Sequence, residues 1–279
     1  MTSIVRWRVT RATLAIFLCV LASSSAWAQQ KSDEDESSTL AKKLSNPISD
    51  LVSVPFQFNW EQKVGSSELS RFILNVQPVI PFTLNHDWNL ILRVIMPFVG
   101  QPPLFAGGVP EFGMGDMTTS FFFSPTSKGG FTVGGGPVFV TPSTYSPAIS
   151  SGKYSVGPTA VALNQSGPWT VGVLWNQAWS FAGDPTRRSV NQMFLQPFLA
   201  YQATKTITLT VQSETTADWN ATSEQRWTVP INFLIGKLSS FGVFPASYQL
   251  GYGVFAAHPD IGPSWKIRAV VVILLPRKK

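Results

Sequence analysis

The sequence predicts a single antiparallel β-barrel of about twelve strands, an all-β fold, on three observations. Apolar residues recur at every second position over long segments, short and long connections alternate between these segments, and tryptophans stand near the segment ends. In FILNVQPVIPFTLNHDWNLILRVIMPFVG (72–100), Phe72, Leu74, Val76, Pro78, Ile80, Phe82 and Leu84 share one face. After the turn Asn85-His86-Asp87 that face resumes with Trp88, Leu90, Leu92, Val94, Met96 and Phe98, opposite Asn89 and Arg93. A period of two over this length makes a strand that is apolar along one side only.

The chain begins with Arg6, Arg8 and Arg11, then an apolar run from Ala12 to Leu21 and the small-residue site Ala26-Trp27-Ala28. Residues 1–28 therefore read as a cleaved secretory signal, since the apolar run is about half of the ~20 residues a spanning helix needs. The lone cysteine, Cys19, lies inside it, so the exported chain has no thiol and is expected to work outside the cytoplasm. Loss of the three arginines would lower the net charge from +6 to +3, and no basic cluster suggests nucleic acid as a partner. Residues 29–50 form a polar segment: its acidic start, QQKSDEDESST, reads as disordered, while LAKKLSNPISDL reads as a short helix that lies in the periplasm or enters the lumen as a plug.

Residues 51–279 carry the barrel. Strands are expected at 51–60, 70–84, 87–99, 114–124, 129–141, 153–164, 167–181, 191–203, 206–217, 225–236, 246–257 and 264–275. Most match or exceed the ~9–11 residues of a tilted transmembrane strand, and an even number suits a bacterial barrel. The chain is only 13% charged against a usual ~25%, yet no stretch beyond the signal approaches ~18 uninterrupted apolar residues, so its apolar surface belongs to strands. With both termini periplasmic, the periplasmic turns would be 85–86, 125–128, 165–166, 204–205 and 237–245. The outer loops would be 61–69, 100–113, 142–152, 182–190, 218–224 and 258–263, generally longer, as in outer-membrane barrels. Trp60, Trp88, Trp169, Trp179, Trp219, Trp227 and Trp265 fall where aromatic girdles would stand.

The same alternation picks out an inward polar face. Arg93, Asp116, Glu214, Arg226, Lys266 and Arg268 would be costly towards lipid, by ~2–4 kcal/mol for Arg or Lys at the midplane. With Asn75, Gln77 and Asn232 they are the candidate lumen-lining residues, and they either line a pore or pair into a network that closes it. Pro78, Pro81 and Pro97 cannot donate to a ladder, so all three are expected at bulges or bends, Pro81 and Pro97 facing inwards and Pro78 outwards.

Catalytic, metal and cofactor sites find no support. The two histidines, His86 in a short turn and His258 in a long loop, are expected at opposite barrel ends, and the exported chain has no cysteine ligand. GGGPVF (134–139) and GMGDM (113–117) lack the helix and lysine of a phosphate loop, so their glycines are read as permitting a bend or a close backbone approach.

Seven stretches carry a family resemblance: LAKKLSNPISDLVSVPFQFNW (40–60), LNVQPVIPFTLNHDWNLILRVIMP (74–97), GMGDMTTSFFFSP (113–125), GGGPVFVTP (134–142), GKYSVGPTAVAL (152–163), FLQPFLAY (194–201) and WTVPINFLIGKL (227–238). With them the chain resembles the "MetA-pathway of phenol degradation" family of outer-membrane β-barrel proteins, whose members are labelled transporters. The ending ILLPRKK departs from the terminal aromatic residue common in outer-membrane barrels but is similar to the ending of family members. The resemblance implies a channel or facilitator for small, hydrophobic or aromatic solutes, held in outer-membrane lipid and inserted by the cell's barrel-assembly machinery. A structural or adhesive barrel with a sealed lumen, acting through its outer loops, is the alternative, and a lipid-modifying enzyme is a third.

Overall fold

The computed structural model describes residues 38–49, 51–126, 130–143 and 146–275; the signal reading lies outside them. Fifteen strand segments follow in order: β1 (Val52–Val64), β2 (Leu69–Val76), β3 (Val79–Thr83), β4 (Trp88–Gln101), β5 (Glu111–Met114), β6 (Met117–Pro125), β7 (Phe131–Thr141), β8 (Lys153–Ser166), β9 (Trp169–Gly183), β10 (Asn191–Gln202), β11 (Ile207–Ser213), β12 (Thr215–Asp218), β13 (Trp227–Phe241), β14 (Phe244–Ala257) and β15 (Trp265–Leu275). The pairs β2/β3, β5/β6 and β11/β12 are each one interrupted stave, so the segments make twelve staves, all antiparallel to their neighbours. β1 pairs with β15 from Val52↔Leu275 to Gln62↔Trp265, and this pairing closes the barrel.

Alternation sorts the side chains as the period-two pattern requires. Phe58, Phe72, Phe82, Leu209, Phe233 and Leu250 point outwards and stay exposed, whereas Gln57, Asn59, Asn232, Lys266 and Arg268 point inwards and are buried. Aromatic pairs stand near the rims: Trp60 stacks on Phe72 with ring centroids 6.1 Å apart, Trp219 meets Trp227 edge-on at 5.7 Å, and Trp169 packs on Tyr201 at 4.5 Å. Connections at the rim where β1 begins and β15 ends, the terminal rim, are short, the extreme being the two residues 242–243, while those at the opposite rim include 102–110 and 142–152.

That two-residue turn corrects the expected long connection 237–245. β13 and β14 stay paired up to Phe241↔Phe244, and Gly242 at φ 60° takes the left-handed conformation the turn needs. The polar residues Lys237, Ser239 and Ser240 imitate a loop, yet each keeps a ladder partner, Tyr248, Ala246 and Pro245 in turn. At the other rim β1 runs on to Val64, so Glu61 belongs to a strand rather than a loop.

The prolines obey a rule sharper than the expected one. Gln77 donates its N–H to Pro55 and Val94 donates to Pro78, so odd residues of this stave face β1 and even ones face β4. Pro78 therefore turns its missing donor towards β4, at the gap between β2 and β3. Gly115 donates to Pro97, so Pro97 turns its missing donor towards the gap between β5 and β6. Pro81 departs from the expectation: it pairs with Ile91 in unbroken register, and no bulge is present. The last β1 pairing of its stave is Ser53↔Val79, so its missing donor faces a position past the start of β1, where the ladder asks for none.

Gly136 shows the close approach expected of the glycine run. A Cβ there would lie 2.1 Å from the Phe121 carbonyl oxygen, inside any tolerable contact. Gly136→Ala is expected to destabilise the barrel by about 1–3 kcal/mol, the usual cost of forcing extra volume into packed structure. Urea unfolding of vesicle-folded protein checks this, and an unchanged midpoint would contradict the approach.

Candidate functional site

All three interruptions fall on one cavity. Gln77 at the β2/β3 gap, Asp116 at the β5/β6 gap and Glu214 at the β11/β12 gap all line an internal space of about 330 Å³, together with Asn75 and Arg93. The register with β4 shifts by one residue between β5 and β6, around Asp116, whereas it is unshifted across the other two breaks, where alternation alone turns Gln77 and Glu214 inwards.

Each charged side chain on this cavity has distinct partners. Glu214 is held by the Arg268 guanidinium, which donates from both terminal nitrogens, the longer bond at 2.8 Å, while Arg268 Nε donates to Asn59 Oδ1 at 2.7 Å. Lys266 Nζ lies 3.7 Å from the same carboxylate and 5.2 Å from the centroid of Phe255. The contact reaches from β15 to the β11/β12 stave past the two intervening staves β13 and β14, so it spans the barrel interior rather than following the wall. Arg268 and Lys266 side chains are 2% and 4% exposed, against 20% for Glu214, so the carboxylate is the member of this group that touches the cavity. Asp116 accepts from Ser150 Oγ at 2.5 Å, from the Ser151 backbone N–H at 3.0 Å and from the Ser151 hydroxyl, which ties the cavity wall to the 142–152 loop. Arg93 Nη2 donates to Gln77 Oε1 at 3.0 Å.

The structure thus brings together Asn75, Gln77, Arg93, Asp116 and Glu214, with Lys266 and Arg268 behind the last. Asn232 is 1% exposed in β13 and donates to the Gln212 carbonyl at 3.4 Å. Arg226 stands apart in the connection after β12, its guanidinium 5.6 Å from the Trp219 ring centroid. Sequence reading missed the second ion pair of the wall, in which Arg71 Nε donates to Glu61 at 2.8 Å beside Gln101. Its signal was the polar series Gln57, Asn59, Glu61 on one face of β1.

A second cavity of about 160 Å³ lies nearer the terminal rim, and Gln196 lines both. Its Nε2 donates to Gln212 Oε1 at 3.1 Å, and among the described residues its own Oε1 has no hydrogen-bond partner. Residues 38–44 are helical, and Ala41, Leu44, Ser45 and Pro47 form one wall of this second cavity. Ile48 is buried among inward-facing Val79, Ile91, Phe122, Val161, Leu163 and Leu174, while Leu40 and Leu44 pack on Leu234, Val270 and Val272. Gln165 ties the segment down by donating to the Lys42 carbonyl at 2.8 Å.

Between the loops of the opposite rim lies a third space of about 340 Å³, lined by Arg187, Arg188 and Asp218, which shares Ser151, Val190 and Gln192 with the inner cavity. Asp184 in this rim is held below the usual carboxylate range, first by the Thr186 hydroxyl and then by the Thr186 N–H. His86 meets Asp87 in the turn 84–87, and His258 meets the Pro259 carbonyl at the other rim.

No family model matches this chain. No curated protein matches it either. Among solved structures it is similar to the COG4313 outer membrane channel from Pseudomonas putida F1, with a TM-score of 0.59 at 14% identity over 81% of this chain and 94% of that one. It is also similar to the NanC porin, with a TM-score of 0.52 at 9% identity over 81% of this chain and 100% of the porin. The fold is that of outer-membrane β-barrels. At these identities the likeness carries the architecture and leaves the solute to the residues of the lumen.

Proposed function

We propose that this barrel is an outer-membrane channel or facilitator for small, hydrophobic or aromatic compounds, with both termini on the periplasmic side. The observation that carries the reading is the lumen itself, where two cavities share Gln196 in their walls beside the packed cluster around Ile48. Twelve staves stand between the side-chain-filled eight-stranded barrel and the open sixteen-stranded porin, so the reading rests on the cavities and not on strand number. The exposed apolar surface suits lipid, and the aromatic pairs near both rims suit its interfaces. The solute class follows from the resemblance to the phenol-degradation transporters, and insertion by the barrel-assembly machinery follows from the class of fold.

A second reading, a sealed barrel with a structural or adhesive role, is favoured by the packing of Ile48 and Leu44 into the terminal rim. On the channel reading this segment is a plug whose displacement opens the path. Liposome swelling separates the two with small neutral solutes. The wild type is expected to swell, Arg93→Ala to change the rate severalfold, and Leu92→Ala, on the lipid face, to leave it unaltered. Equal effects of the two substitutions would refute the lumen assignment, and no swelling by folded wild type would favour the sealed barrel.

A further inference from the structure

Arg93 differs from every other charge on the inner cavity. Glu214 is gripped by Arg268 and Lys266, and Asp116 is saturated by Ser150 and Ser151, so neither carboxylate is left to hold a cation. The Arg93 guanidinium has five donors, and its hydrogen-bond partner among the described residues is the neutral Gln77 amide, at 3.0 Å, while the Glu214 carboxylate, already held by Arg268, acts on it only through space. A guanidinium fork set in a low-dielectric wall binds a planar carboxylate in two-point fashion more strongly than any neutral acceptor. The same cavity presents Ile95, Val140, Ala178 and Phe194, so a ligand seated against Arg93 would lay an apolar body on these side chains. Its volume of about 330 Å³ lies at the lower end of the range for small-molecule sites. On the loop side the cavity shares Ser151, Val190 and Gln192 with the space lined by Arg187 and Arg188.

We propose that Arg93 is the head-group site of the lumen, binding the carboxylate of a small amphipathic organic acid whose apolar body rests on Phe194, Ile95 and Val140. The inference rests on the channel reading for its biological meaning, since it names the chemical class of the solute. The binding step itself does not need permeation.

Calorimetry on the folded barrel in detergent tests it with benzoate, benzamide and benzylamine, which share a ring and differ in the charge of the head. Benzoate is expected to bind roughly tenfold or more tighter than benzamide, as a charge-assisted pair should, and benzylamine to bind no better than benzamide. Arg93→Gln, which keeps a donor and loses the charge, should erase the preference for benzoate and leave benzamide unchanged. Arg188→Gln, in the loop rim, should leave both affinities as they are. If Arg93→Gln does not fold, Arg93→Lys keeps the charge without the fork and should retain a reduced preference. Equal binding of benzoate and benzamide, or a preference that survives Arg93→Gln or vanishes with Arg188→Gln, overturns the proposal. Failure of the channel reading would appear separately, as folded protein that binds benzoate and passes no solute in swelling assays.

Discussion

Glu214→Ala is expected to destabilise the barrel by about 3–5 kcal/mol, because it strips the partner from two cations that the wall has already removed from water. Arg268 and Lys266 side chains are 2% and 4% exposed, and neither can move its head into solvent without leaving the wall. Arg268→Met should cost less. It leaves Glu214 with a fifth of its side chain open to the cavity, with Lys266 still 3.7 Å away. The double variant, Glu214→Ala with Arg268→Met, should be less destabilised than the sum of the single ones, since the deserted guanidinium is gone. Urea unfolding in lipid vesicles measures all three. A Glu214→Ala barrel as stable as wild type, or a double variant that is merely additive, would show that the fork contributes nothing.

Ile48→Asp is expected to raise the conductance of the barrel severalfold while leaving its assembly intact. Ile48 is 3% exposed and contributes about 1.5–3 kcal/mol by burial, so a carboxylate there would be driven out of its apolar ring. The helix 38–44 is too short to hold its own structure in water and depends on Leu40 and Leu44 for its seat. Once the segment leaves, the second cavity loses the wall formed by Ala41, Leu44 and Pro47 and opens onto the terminal rim. The staves do not depend on this contact for their ladder pairing, so heat-modifiable gel mobility should remain that of a folded barrel.

Period two made much of this fold legible. It sorted Phe72, Leu74 and Val76 from Asn75, and it marked Lys266 and Arg268 as inward in a strand otherwise apolar. The inward set could be written down before any contact was known, because a side-chain period of two admits only two faces. Partners could not. Glu214 and Arg268 are 54 residues apart and meet across two staves, which depends on how far neighbouring staves are staggered, a property of the closed barrel rather than of a local segment. Glu61 was obscured for a different reason: the charged run around Lys63 reads as a loop, although β1 continues across it to Val64 by way of an irregularity between Glu61 and Val64. Pro81 shows the limit of residue rules, since its effect depends on whether the neighbouring stave reaches it.

Single-channel recording in planar bilayers tests the central claim most directly, that the lumen is a path. With wild type and Ile48→Asp side by side, the account predicts discrete current steps from the wild type and steps severalfold larger from the variant. Folded protein that inserts and stays insulating in both forms would contradict it, and the cavities at Gln196 would then be voids in a sealed wall.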